Sequence, residues 1–155
     1  MDKFQMYYDF MAEYASFFFD VENVENKKLK ALLSNDLSLI ETAMSEYQTC
    51  IKKAQQYETN RIKLCEKLGF KDMKFKQISN LFEGDEKRRL VIQNNSLEST
   101  IRTISYLNKR SMEIAKMQMK YVEELANSRE NAHMYNSSGK SDSALENLNL
   151  LNKKA

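Results

Sequence analysis

The sequence predicts an all-α chain: long antiparallel helices forming a three-helix bundle or coiled coil, followed by a flexible C-terminal tail. Three observations predict it. The 155 residues contain no proline and three glycines, Gly69, Gly84 and Gly139, where average usage would supply about eight prolines. Almost nothing here breaks a helix. Between Leu37 and Leu68, the residues Leu37, Ile40, Met44, Tyr47, Ile51, Ala54, Glu58, Arg61, Cys65 and Leu68 follow one another at alternating steps of three and four. That spacing lines one edge of a long helix and asks for neighbouring helices to cover it. Finally, Phe4, Tyr7, Tyr8, Met11, Tyr14, Phe18 and Val21 form a broad aromatic stripe at helical spacing, which Leu29, Leu32 and Leu33 extend.

A first helix is therefore expected from about Lys3 to Leu33. Phe17-Phe18-Phe19 places at least one ring off its core stripe, so Phe17 or Phe19 is a candidate for an open surface. Ser34-Asn35-Asp36 interrupts the pattern, and Asn35 or Asp36 is a good N-cap. Apolar stretches of similar length on both sides favour a reversal there over a kink. The second helix, whose stripe is expected to organise the fold, stops at Gly69. Phe70 then folds back as the hydrophobic half of a Schellman motif. Phe75, Ile78, Leu81 and Phe82 suggest a short helical turn across the bundle end. Asp85 caps the last long helix, which Leu90, Leu97, Ile101, Ile104, Leu107, Ile114, Tyr121, Val122 and Leu125 keep on the core as far as about Asn127. Residues 1–127 thus form the helical domain. Residues 128–155, rich in Asn and Ser at first, read as a tail with a short amphipathic helix at 143–152. Ala144, Leu145, Leu148 and Leu151 make its stripe, which is too short to be stable alone and orders only by docking.

Composition narrows the function classes. Net charge is +2 with acids and bases interspersed, which argues against nucleic acid as a partner. Lys87-Arg88-Arg89, the one dense basic run, reads as a solvated first helical turn. No apolar run approaches the ~20 residues that span a bilayer, so no stable membrane insertion is expected. Cys50 and Cys65, about 22 Å apart on one helix, are beyond disulfide reach. They read as thiols of a reducing compartment, and with no signal peptide pattern the expected location is the cytoplasm. The single histidine, His133, lies in the tail, and no glycine-rich loop is present. Catalytic residues, a metal site and a bound cofactor are accordingly not expected, and an enzyme is not the reading. Glu58 and Arg61 are most economically a structural ion pair, and Asn108 a register-fixing amide in a helical seam. Met112, Met117 and Met119 crowd the last helix, where methionine serves either as core filler or as a surface for a variable partner.

Several segments resemble one family. Lys28-Leu29-Lys30-Ala31-Leu32-Leu33-Ser34-Asn35-Asp36-Leu37 is similar to the turn between the first two helices of the FlgN family of flagellar export chaperones. Glu58-x-x-Arg61, followed by Leu64 and Leu68-Gly69-Phe70, resembles that family's E-x-x-R-x-x-L … L-G segment. Leu107-Asn108 resembles the first half of its L-N-x-x-N-x-x-L helix motif, with Ser111 at the second asparagine and Ile114 at the leucine. Tyr135 with Gly139 resembles its tail tyrosine–glycine segment, with Asn136 where a glycine usually follows. The resemblance covers roughly Phe4 to Gly139. It implies a chaperone that holds the C-terminal helical segments of hook–filament junction proteins before export, then docks on the cytoplasmic domain of the export gate. Carried onto this chain, the client-binding face is Asn108, Ser111, Met112, Ala115, Met119 and Val122, and the gate anchor is Tyr135. The competing expectation is a self-associating coiled-coil structural or adaptor protein, whose stripes bury against further copies as a homo-oligomer.

Overall fold

The computed structural model describes residues 2–135, with side chains through Ala132. Four helices follow in order: α1 (Lys3–Ser34), α2 (Leu37–Leu68), the five-residue α3 (Phe75–Ser79) and α4 (Gly84–Tyr135). The chain is all-α among the described residues. It falls into two compact units, residues 1–111 and 112–155.

Caps set the boundaries in the first unit. Asp2 accepts a hydrogen bond from the Phe4 amide and opens α1. Asn35 closes it at φ 54°, in the left-handed region that asparagine tolerates. Asp36 then starts α2, its Oδ1 accepting from the amides of Ser38 at 2.9 Å and Leu39 at 3.2 Å. The reversal thus takes two residues, each suited to its side of the turn. At the far end of α2, Gly69 (φ 83°) donates its amide to Glu66 and Phe70 donates to Cys65 at 2.7 Å. These are the two bonds of a Schellman motif, and the buried Phe70 ring sits edge-on to Tyr7 at 5.8 Å.

Numbering along the contacts gives the topology. Tyr14 meets Glu58, Phe17 stacks on Tyr57 and Lys27 pairs with Glu46, so α1 and α2 run antiparallel. Arg89 lies over Tyr8, Gln93 donates to the Tyr8 carbonyl and Lys28 donates to Asn108, so α4 runs parallel to α1. With long partners on two sides, α1 buries Phe4, Tyr7, Met11, Tyr14, Phe17, Val21, Glu25, Lys28, Ala31 and Leu32. Cys65 and Leu68 of α2, Phe70, Ile78 of α3, and Leu90 and Leu97 of α4 complete the dry end of this core with Phe4 to Tyr14.

Several expectations change here. The organising helix is α1, not α2. On the α2 stripe Leu37 is 54% and Ile51 41% exposed, and burial is complete only at its far end, at Cys65 and Leu68; Ala43, off the stripe, is the other buried residue of α2. Phe17 is buried, leaving Phe19 as the exposed ring of the Phe17-Phe18-Phe19 run, and Leu33 and Leu81 are exposed rather than packed. Arg89 is more than a solvated charge, since its guanidinium stacks 4.2 Å from the Tyr8 ring centroid. Asp85 sits inside the first turn of α4 rather than at its cap. There its carboxylate still faces the positive end of the helix dipole, while Gly84 supplies the φ of 57° that starts the helix.

The second unit begins within α4, which continues to Tyr135 rather than ending near Asn127. Arg129, Glu130 and Ala132 favour a helix, and the first glycine after Asn127 is Gly139. From Met112 to Ala132 no residue is buried. The short helix expected at 143–152 lies outside the described residues.

Candidate functional site

Two polar arrangements stiffen the first unit. On α2, Glu58 and Arg61 are one helical turn apart, and the guanidinium grips both carboxylate oxygens, Nε to Oε2 at 2.9 Å and Nη2 to Oε1 at 2.7 Å. The Tyr14 hydroxyl donates to the same Oε2 at 3.0 Å, tying the pair to α1. Arg61 also covers the Phe75 ring at 5.5 Å, tying it to α3. The guanidinium beside Glu58 holds its carboxyl below the usual range, while burial and that carboxylate push the Tyr14 phenol up to about 12. The structural ion pair expected at Glu58 and Arg61 is present. With Tyr14, Cys65, Phe75 and Glu98 it lines an open cleft of about 660 Å³. Burial pushes the Cys65 thiol up, away from the reactive thiolate.

Further along α1, Lys28 and Glu25 form an ion pair at 2.9 Å with both side chains nearly inaccessible, at 6% and 2% exposure. The Lys28 ammonium donates to Asn108 Oδ1 at 3.0 Å and stands 3.7 Å from the Tyr47 ring centroid. Three helices thus meet on one cation. Sequence reasoning missed this cluster, although Glu25 and Lys28 at steps of four and three after Val21 continue the apolar stripe, and charges in register with a core stripe are its visible trace.

The structure divides the six residues assigned to a client face. Asn108 is half-buried with its amide oxygen held by Lys28, and Ser111 is 2% exposed. Both belong to the packed seam of the first unit, so the six do not form one open face: polar residues on the α1 side of α4 were drawn into the core. The others lie on the second unit. Met112 is exposed, and Ala115, Met119 and Val122 are half-buried. Together with Ala126, they keep the alternating three–four spacing that lines one edge of a helix. Tyr121 and Leu125 flank that edge and are exposed, as is Met117 on the opposite face. Tyr135 is the last residue of α4, and its side chain lies outside the described set.

Among the described residues, no three His, Cys, Asp or Glu side chains gather as a metal site, and no helix is long and apolar enough to cross a membrane. No protein-family model, no curated protein and no solved structure matches this chain.

Proposed function

We propose that this chain is a cytoplasmic chaperone of the flagellar type III export pathway. It binds the C-terminal helical segment of hook–filament junction proteins, prevents their premature assembly and delivers them to the export gate. The observation that carries the reading is the edge of α4 formed by Ala115, Met119, Val122 and Ala126, flanked by Tyr121 and Leu125, in a stretch with no buried residue. An amphipathic helix with apolar spacing and no core of its own is suited to helix-in-groove packing against a second amphipathic helix. Methionine at Met119 lets that edge adapt to more than one client. Holding needs no nucleotide: each buried Å² of apolar surface contributes ~25 cal/mol, less the cost of ordering both partners. The sequence resemblance supports the choice of client.

The test is co-elution of the full chain with C-terminal fragments of junction proteins. A stoichiometric complex is expected. Met119→Asp with Val122→Asp should weaken it at least tenfold, about 1.4 kcal/mol, while the thermal midpoint stays unchanged because neither residue is in the core. Tyr135→Ala should keep the client complex and lose binding to the gate's cytoplasmic domain. If no junction fragment co-elutes, the reading fails. The exposed residues Leu37, Met44 and Ile51 along the α2 stripe favour a second reading, a self-associating coiled coil. Concentration-dependent sedimentation of the chain alone, with no client complex, would select it.

A further inference from the structure

We infer that the outer face of α1, between Asp9 and Lys30, is a docking surface for the same face of a second copy, with the two helices antiparallel across a two-fold axis. This self-association goes beyond the chaperone reading and does not rest on it.

Helix α1 packs its buried side chains onto α2 and α4, which leaves one exposed stripe on its outer side. Asp9, Ser16, Asn23 and Lys30 run down the middle of that stripe at steps of seven, and all four are exposed. Glu13, Asp20 and Lys27 line one flank. Ala12 and Phe19 line the other, with the Phe19 ring 59% exposed. Acids thus occupy the first half of the stripe and lysines the last. Asp9 and Lys30 stand equally far from the midpoint between Phe19 and Asp20, about 16 Å at 1.5 Å per residue. Glu13 and Lys27 each stand about 10 Å from Asp20. A two-fold axis at this point lays each half of the stripe on the opposite half of the second copy. Asp9 then meets Lys30 of the second copy, Glu13 meets Lys27 and Ser16 meets Asn23, each twice by symmetry. On the other flank the two Phe19 rings face each other and give a polar contact its apolar centre. A parallel pairing would set Asp9 against Asp9 and Lys30 against Lys30, so charge also fixes the orientation. Asp9 accepts from the Gln5 amide at 2.7 Å and Lys27 pairs loosely with Glu46 at 3.5 Å, yet both stay exposed and within reach of a second copy. One contact opposes the rest, because Asp20 falls opposite Asp20. Built from exposed ion pairs and one pair of rings, the dimer sits at the weak end of specific association and loosens with salt.

Charge reversal in the full chain, read by sedimentation at low salt, tests the surface. The parent is expected to pass from monomer to dimer as concentration rises, and added salt should reverse this. Lys27→Glu with Lys30→Glu makes the charges of the stripe acidic throughout, whereas Asp9→Lys with Glu13→Lys leaves Asp20 as its one acid. Each of these variants alone should stay monomeric. Mixing them should restore a one-to-one dimer, because the four end pairs are then all of opposite sign. Thermal midpoints should match the parent, since all four side chains are exposed. Phe19→Ser should weaken the parent dimer about tenfold, and Asp20→Asn should tighten it about twofold by removing the like-charge contact. Should a reversed variant lose its midpoint, this last pair decides, because no general loss of stability tightens a dimer. A parent that stays monomeric at every concentration overturns the inference. So does a mixture that stays monomeric, and so do reversed variants that associate as the parent does, which would place the contact on the α2 stripe instead.

Discussion

At Lys28 one ammonium serves Glu25, Asn108 and the Tyr47 ring, with almost no access to water. Removing one partner of such a pair strands a buried charge, at a cost of about 3–5 kcal/mol, whereas replacing both with apolar groups of similar volume is often neutral. Lys28→Met alone should therefore lower unfolding stability by about that amount in urea titrations. Combining it with Glu25→Leu should recover most of the loss. The Glu58 carboxyl, held low by Arg61 and the Tyr14 hydroxyl, acts in the opposite pH direction from a raised group. Its folded pKa lies below the unfolded one, so its contribution is complete above the ordinary carboxylate range and fades as pH falls through the folded value. Stability measured from pH 7 down to pH 3 should therefore fall less steeply in Glu58→Gln than in the parent chain. The variant itself should be slightly less stable at pH 7, since a partly exposed pair contributes little more than about 1 kcal/mol.

Among the elements, α1 has the largest role because it packs against two long partners and carries most of the buried side chains of the described core. Its heptad of aromatic and aliphatic side chains meets α2 through Phe17 on Tyr57 and α4 through the Arg89 stack. The ends of its partner α2 are set by capping residues, Asp36 at the start and Gly69 at the stop. Asp36 accepts from two amides of α2, and Asp36→Ala should cost about 1 kcal/mol by chemical denaturation. At Gly69 an added Cβ would meet nothing closer than the Lys3 ammonium at 3.8 Å, so space is no obstacle to a side chain. The φ of 83° is the obstacle, and Gly69→Ala should cost about 1–2 kcal/mol through the left-handed backbone alone. A cost near zero would show that the connection to α3 relaxes.

Across the whole molecule the contrast lies between two kinds of helical surface. The first unit has a dry end, where Phe4, Tyr7, Ile78, Leu90 and Leu97 are closed from solvent, and a polar layer around Lys28 further along α1. The second unit has no buried residue from Met112 to Ala132. A helix stabilised by its own propensity and by side chains one turn apart opens at lower free energy than one locked in a core. Amide hydrogen exchange should therefore be fast from about Met117 to Ala132 and slow at Leu90 to Leu97. A client segment bound on the Met119 edge should slow exchange in the former stretch and leave the latter unchanged.

The sequence by itself determined the helical class, the reversal at Asn35-Asp36, the stop at Gly69 and the ion pair at Glu58 and Arg61. Each depends on residues near one another in the chain: a cap, a left-handed glycine, two charges one turn apart. Tertiary structure decided which stripe becomes the core. The α2 heptad has the cleaner apolar spacing, yet α1 is the buried helix, because burial depends on how many neighbours a face meets and not on its own periodicity. It also decided that Asn108 and Ser111 belong to the packed seam while Met119 and Val122 do not, a division invisible along a helix whose stripe continues in the same register through both. The cluster on Lys28 shows the same limit, since its members are scattered over three helices and only packing brings them together.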